Sequence, residues 1–358
     1  MNIPQQAYAF QIKGTPISCE EFGHGHINRT LKILTDTNHE YILQKINKYV
    51  FKDPVSLMEN ASAVTNFLRK KSGEPDSALH FIRTHQGLYY HQDEDGEFWR
   101  MDDFVNGFCL DAPESDSDFY ESAIAFGRFQ DLLSDFPADT LHETIPNFHH
   151  TPDRFRQLKE SIAQDAAGRR ASVETEISQA LAMEEMGSRL QNMLDAGELP
   201  LRVTHNDTKL NNVLLSKTTR KSLCVLDLDT VMPGLSANDF GDSIRFGAAT
   251  VAEDHPNPQE MKLDLHLFEV YTRGFLTAAR NLTDLEVEVL PLGAFTMTLE
   301  VGIRFLKDYL DGDLYFKTAY PEHNLVRART QLALAIDMQK NWEQMQQTVS
   351  RVAAEIRG

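Results

Sequence analysis

The chain has 358 residues, 41% of them hydrophobic and 25% charged, with 53 Asp and Glu against 35 Lys and Arg for a formal net charge of −18. Such a composition is that of a globular chain and excludes disorder as a description of the whole. At about 150 residues per domain the length fits two domains, or one large bilobal one, able to bury a core without disulfides or metals. The acidic balance argues against nucleic acid and anionic membrane surfaces as partners, and leaves room for a small anionic ligand at a local site. Cys19, Cys109 and Cys224 are far apart and odd in number, as expected of reduced thiols rather than a disulfide framework. The N-terminal MNIPQQAYAFQIKG lacks the basic and apolar regions of a signal peptide, and no window of about 18 residues is free of charge. The cytoplasm is the simplest expected location.

In chain order, the first hundred residues read mostly as strands. Ile17–Phe22, Thr30–Thr35 and Tyr41–Ile46 are extended apolar patterns separated by turn residues. Asp53-Pro54 has the form of an N-cap followed by a first-turn proline. Leu57, Ala61, Val64 and Leu68 then carry helical spacing through Val55–Lys71. Further strands are predicted at His80–Arg83 and Gly87–His91, with Asp95-Gly96 turning a hairpin into Glu97–Met101. After Gly107 the character becomes helical: Asp118–Phe136, Pro152–Ala166, Val173–Ala196, Pro258–Ala279, Leu285–Leu310 (with Pro291 a possible break) and Leu325–Ile356. Strands interrupt this run at Arg202–His205 and Ser222–Asp229. There is no internal repeat and no low-complexity run. The expected boundary near residues 101–107 separates an N-terminal region, 1–104, from a C-terminal region, 105–358.

The segment Arg202–Gly247 carries the chemistry. It holds His205-Asn206-Asp207, then Asn212 five residues after the aspartate, then an apolar strand that delivers Asp227. This is the H-x-D-x-x-x-x-N spacing of a kinase catalytic loop followed by a metal-binding aspartate. Phosphoryl transfer needs a carboxylate beside the attacking hydroxyl, and Asp207 suits that role as catalytic base. It also needs hard oxygen ligands for Mg²⁺, which Asn212 and Asp227 would supply. His205 is expected to be structural. Asp239 and Asp242, in DFGDS, are expected either to brace this loop or to contact an acceptor.

These residues resemble the aminoglycoside phosphotransferase / choline kinase branch of the protein-kinase-like fold. VTHNDTKLNNVL, LDLDTVMPG and DFGDSIRFG, with GHGHIN, YILQKIN, GDLYF and YPEHNLVR, are similar within it to the sugar 1-kinases that act on N-acetylhexosamines. The likeness runs from about residue 15 to about residue 345. It implies an α+β bilobal fold, with a small N-lobe of antiparallel sheet plus helix and a larger, mainly helical C-lobe, and the cofactors ATP and Mg²⁺. It assigns Gly23, Gly25 and Asn28 to the turn that covers the phosphates. It assigns Asp103 and Phe104 to the hinge, whose backbone groups bind adenine. Protein kinases place a lysine on the third strand to reach the phosphates; here Gln44 takes that place with Lys45 beside it. A strand alternates faces, so only one of the two can point at the nucleotide. Glu59 is a candidate partner for such a cation, or faces solvent.

For the acceptor, a sugar calls for carboxylates, arginines and an apolar platform, and the candidates are Asp229, Arg304 and Tyr315, followed by Asp242 and Arg245. Arg304, Asp308 and Asp311 share a helix face, either as acceptor contacts or as a solvated ion-pair stripe. Arg327 and Arg329 are expected to pair with carboxylates. His149-His150, near His142, is expected to be a surface run rather than a metal cluster. The expected partner is a small-molecule sugar, with no nucleic acid and no membrane, and the chain a monomer or weak homodimer. Other readings are a kinase of an aminoglycoside, choline, homoserine or methylthioribose, or a nucleotide-binding regulator without catalysis.

Overall fold

A computed structural model describes residues 2–23, 28–74 and 76–358. In chain order its elements are strands β1 (Pro16–Glu21), β2 (Arg29–Thr35) and β3 (Glu40–Ile46), helix α1 (Pro54–Ser72), and strands β4 (His91–Gln92) and β5 (Phe98–Asp103). Helices α2 (Asp116–Leu132), α3 (Thr151–Gln164), α4 (Glu174–Ala182), α5 (Glu184–Gly187) and α6 (Arg189–Asp195) follow. Short strands β6 (Arg202–Thr204), β7 (Val213–Leu215), β8 (Ser222–Val225) and β9 (Met232–Gly234) precede helix α7 (Ser236–Gly247). The chain closes with α8 (Leu265–Ala278), α9 (Asp284–Glu288), α10 (Leu290–Asp311), α11 (His323–Lys340) and α12 (Trp342–Arg357). It forms an α+β fold, with an antiparallel sheet toward the N-terminus and helices toward the C-terminus. Two compact units are formed from discontinuous segments: a sheet unit from 1–109, 135–146 and 213–233, and a helical unit from the rest.

In the sheet unit the strand order is β1-β2-β3-β5-β4. Alternation sends Leu31, Ile33, Tyr41, Leu43, Trp99 and Met101 to one face, where they pack with Ala7, Phe10 and Cys19. The opposite face carries a cross-strand row, because Thr30 pairs with Gln44 and Gln44 with Arg100. Helix α1 starts as anticipated: Asp53 Oδ1 accepts from Ser56 N at 3.1 Å, and Pro54 occupies the first turn. It ends at Gly73 with φ of 70°. Asn60 ties the unit's three segments together: its amide donates to His142 O at 2.8 Å and Val231 O at 3.0 Å, and its oxygen accepts from His142 N at 2.9 Å.

Two strand expectations fail there. His80–Arg83 and Gly87–His91 leave only isolated bridges, Phe10–Thr84 and Phe81–Asp102, and the two-residue β4. The chain turns back between them, with Thr84 N donating to Leu88 O at 2.7 Å and Gly87 at φ of 86°, so no ladder can extend. Phe81 and Ile82 are buried, which accounts for their strand-like pattern. The Asp95-Gly96 hairpin forms, with Gly96 at φ of 73°.

In the helical unit, Phe240, Phe268, Tyr271 and Phe275 pack edge to face or stacked in the core. Helices α7 and α10 touch through glycines. A Cβ on Gly241 would lie 2.2 Å from Gly293 O, and one on Gly293 2.0 Å from Ala237 O. The predicted helix over Val173–Ala196 is three short ones, interrupted at Met183 and Ser188, where buried Met183 and Gly187 press into the core. Tertiary packing there overrides propensity. The predicted Leu325–Ile356 helix divides at Asn341, whose side chain donates to Asp337 O at 2.9 Å and competes with the backbone ladder. Pro258–Glu260 is only a 3₁₀ turn, and α8 begins later, capped by Asp264. Pro291 starts α10 rather than breaking it. No helix among the described residues is long and apolar enough to cross a membrane.

Candidate active site

The helical unit holds the catalytic-loop residues. Asn206 adopts φ of 64°, a conformation open to asparagine, and turns the chain out of β6. Buried His205 packs against the rings of Phe126 and Phe129, and its Nδ1 accepts from Asp207 N at 3.3 Å. It is structural, as expected. Helix α7 then braces the loop from below. Asp239, fully buried, accepts from His205 N at 2.9 Å, Asn206 N at 2.8 Å and Gln130 Nε2 at 2.6 Å. Burial raises the Asp239 carboxyl, and these donors with His205 oppose the rise. Asp242 accepts from Thr208 N at 3.0 Å and from Arg245, which also pairs with Glu253 at 2.6 Å. Burial pushes Asp242 up, but Arg245 and then Lys209 hold it below its ordinary value. Asp239, Asp242 and Arg245 are thus spent on the loop.

Held this way, the Asp207 side chain stays 28% exposed. Its Oδ1 meets Lys209 Nζ at 2.7 Å, and its Oδ2 accepts from Asn212 Nδ2 at 3.1 Å. Asn212 Nδ2 also donates to Asp207 O at 2.8 Å, which turns Oδ1 of the amide away from the aspartate. Burial lowers the Lys209 pKa, but Asp207 and Asp242 raise it further, so the ammonium stays charged. Lys209 was missed in the sequence, although it stands two residues after the aspartate in the loop itself.

His149 departs from the surface role expected of it. It is nearly buried, its Nδ1 bonds Glu300 Oε1 at 2.7 Å and its Nε2 bonds Asn206 O at 3.2 Å. Glu300, on α10, also accepts from Thr151 Oγ1 at 2.8 Å. Burial, the largest single cause, raises the Glu300 carboxyl, but His149, Arg304 and Arg154 together bring the net shift downward. His150 caps α3, accepting from Asp153 N at 3.1 Å, and His142 pairs with Glu59. No three His, Cys, Asp or Glu among the described residues are grouped to hold a metal.

Arg304 and Tyr315 come together in the same unit. The Arg304 guanidinium faces Phe148 and Phe316, each at 5.5 Å, and Tyr315 at 6.0 Å. Tyr315 is 70% exposed. The ion-pair stripe does not form. Asp308 instead folds the following loop by accepting from Leu314 N, Tyr315 N, Phe316 N and Asn324 Nδ2, while Asp311 pairs with Lys307. Arg329 pairs with Glu176, whereas Arg327 donates to Asn324 Oδ1 and Lys317 O rather than to a carboxylate.

The sheet unit holds the remaining candidates. Asp227 follows β8 with φ of 54°, a left-handed conformation that re-aims the chain into a 3₁₀ turn bearing Asp229. Asp229 is 2% exposed and ion-paired with Arg100, and it accepts from Asn28 Nδ2 at 2.6 Å. Asn28 Oδ1 accepts from Asn47 N at 2.9 Å. Gln44 accepts from Arg100 Nε at 2.9 Å and donates to Thr30 Oγ1 at 3.0 Å. Lys45 pairs with Glu97 at 3.2 Å, so Gln44 and not Lys45 shares a face with Arg100 and Asp229. Gly23 has φ of 78°; Gly25 lies outside the described residues. At the end of β5, Asp103 N donates to His80 O at 3.1 Å and Phe104 N to Glu40 O at 3.0 Å, so these two donors are already taken. The Phe104 ring meets Phe22 edge to face and carries Lys32 Nζ at 3.8 Å. Glu59, half-exposed, pairs with His142 rather than with a strand cation. Asn212 and Asp227 each carry the hard oxygen that Mg²⁺ favours, the first in the helical unit and the second in the sheet unit.

Fold and loop together define a phosphotransferase of small molecules. The phosphotransferase enzyme family (APH) matches residues 18–273, and the chain belongs to it. Among solved structures, a microcompartment-associated aminopropanol kinase is similar at 16% identity and a TM-score of 0.64, covering 96% of this chain and 97% of that one. An amicoumacin kinase, solved in complex with AMP-PNP, Ca²⁺ and Ami, shares 12% identity at a TM-score of 0.62, covering 92% of this chain and 91% of that one. Choline kinase from Cryptosporidium parvum Iowa II shares 13% identity at 0.56, covering 95% and 93%. At these identities the likeness is one of fold.

Proposed function

We propose that the chain is an ATP- and Mg²⁺-dependent N-acetylhexosamine 1-kinase that phosphorylates the anomeric hydroxyl and yields the sugar 1-phosphate and ADP. The observation that carries the kinase reading is the half-open Asp207 carboxylate, fixed by Asn212 and Lys209 on a loop that buried Asp239 and Asp242 hold by its backbone. A carboxylate so placed orients the acceptor hydroxyl and takes its proton as the bond to phosphorus forms. Lys209 balances the negative charge beside it. Bound Mg²⁺, held through Asn212 and Asp227, would neutralise charge on the transferring phosphoryl group. Gly23, Gly25 and Asn28 belong to the nucleotide's phosphate end on this reading, and Asp103 and Phe104 to its base, through groups other than their own N–H donors, which are bonded to His80 O and Glu40 O.

The sugar reading rests on Arg304 and Tyr315. Arg304 has a guanidinium over three aromatic rings and no ion pair with a carboxylate among the described residues, although its charge acts on Glu300. Burial and the charge of Arg304 both lower the pKa of nearby Arg154. The positive charge of Arg154 and Arg304, partly offset by Glu300, disfavours cationic acceptors such as choline or an aminoglycoside, and their N–H donors suit a neutral polyol with oxygen acceptors and an apolar ring face. Coupled ADP release with ATP and Mg²⁺ tests this over GlcNAc, GalNAc, glucose, galactose, choline, homoserine, methylthioribose and kanamycin, with ³¹P NMR of the product. Turnover on the amino sugars, with phosphate on the anomeric oxygen, is expected. Arg304→Ala should raise the sugar KM at least 10-fold. Turnover only on a cationic acceptor would overturn the substrate assignment and leave Asp207 in place.

A further inference from the structure

The third strand turns its lysine, Lys45, to the face opposite Gln44 and pairs it with Glu97, and the adjacent strand holds a cation on the Gln44 face. Arg100 on β5 pairs directly across from Gln44 on β3, on the face away from the sheet's apolar core. Its Nε donates to Gln44 Oε1 at 2.9 Å and its Nη1 to Asp229. Gln44 is in turn fixed by Thr30 and Asp229 by Asn28. Nη2 has no hydrogen-bond partner among the described residues, although a guanidinium offers five N–H donors.

A buried Arg–Asp pair of this kind roughly breaks even in stability, because the desolvation of both ions offsets their attraction. Stability alone therefore gives it no purpose. A planar fork does what a lysine could not: two of its edges are held by protein while a third remains for a ligand. Asp227, the proposed metal ligand, lies within electrostatic reach. Burial opposes the charge on Arg100, but Asp229, Asp227 and Asp102 more than restore it.

We propose that Arg100, clamped by Gln44 and Asp229, binds the nucleotide phosphates in place of the third-strand lysine. The amide at Gln44 is then the part that aims the guanidinium, and Asp229 positions the phosphate cation rather than the acceptor. This rests on the kinase reading given above and names a residue that neither the loop motif nor the third-strand position would select.

The test compares ATP, ADP and adenosine by titration calorimetry with EDTA present, so that no metal bridges phosphate and carboxylate. Because Arg100→Gln alone would bury an unpaired Asp229, the variant pairs Arg100→Gln with Asp229→Asn. Thermal melts verify that it is folded. A second variant, Arg100→Lys, keeps the charge and loses the fork. The paired variant should bind ATP and ADP about 10–100-fold more weakly while adenosine affinity stays the same. Arg100→Lys should fall between it and the unaltered chain. Equal weakening of all three ligands, or of none, would overturn the proposal, since a merely structural ion pair cannot distinguish a nucleotide from its nucleoside. Failure of the unaltered chain to bind ATP even with Mg²⁺ would instead sink the kinase reading, and this inference with it.

Discussion

Burial on β5 pushes the Asp102 carboxyl up to about 7; Arg100 pulls it down and Asp103 pushes it back. Between its ordinary value of 3.8 and about 7, the folded chain keeps a proton that the unfolded chain has released. Stability contributed by the protonated form is complete below that window and is lost as pH rises through it. Asp102→Asn should therefore flatten the pH dependence. Urea unfolding should find the variant more stable at pH 8, by as much as ~4 kcal/mol, and nearly unchanged at pH 4. An unaltered pH slope would mean that Asp102 ionises normally. At this scale the loop was legible in the sequence: Asp207, Asn212 and Asp227 stand in a spacing that phosphoryl transfer itself dictates. Arg100 was not, because period-two alternation places Gln44 and Lys45 on opposite faces without saying what lies across the next strand. That pairing depends on the β3–β5 register, which a hairpin signal at Asp95-Gly96 suggests but does not count out. His149 was misread for a similar reason. A histidine pair looks like surface until Glu300, 151 residues away, meets one of its members.

Helix α7 is the element on which the loop depends, and its sequence, SANDFGDSIRFG, reads poorly as a helix. Its glycines are explained by packing instead. Gly241 leaves room for the backbone of α10, and the resulting contact fixes the height of Asp239 and Asp242 beneath the loop. Gly241→Ala should force the two helices apart. The expected cost is about 1–3 kcal/mol or more in urea unfolding, with a fall in kcat larger than any change in the KM for ATP. Wild-type stability would show that the contact can yield. The long amphipathic helices were legible because they bury one face at helical spacing. Their interruptions at Met183, Ser188 and Asn341 were not, since the first two are set by core packing of Met183 and Gly187 and the third by the Asn341 side chain. The strand-like stretch over residues 80–91 misled for the opposite reason: buried Phe81 and Ile82 give the pattern, while the turn at Gly87 removes the ladder.

As a whole molecule, the chain passes between two compact units, and the sheet unit draws on 135–146 and 213–233 as well as on the first 109 residues. Composition along the sequence does not announce such returns, whereas the order of strands and helices, and with it the fold class, was readable from periodicity and turn residues. The same division places Asp207 and Asn212 in one unit and Asp227 with Arg100 in the other. If they serve one reaction, the most direct test is the rate of that reaction with one oxygen changed to nitrogen. ADP formation is measured for the unaltered chain and for Asp207→Asn, with saturating ATP, Mg²⁺ and GlcNAc or GalNAc. Calorimetry verifies that ADP affinity is retained. A loss of about 10²–10⁴-fold in kcat in a folded, nucleotide-binding variant is expected. Turnover within a few-fold of the unaltered chain would contradict it.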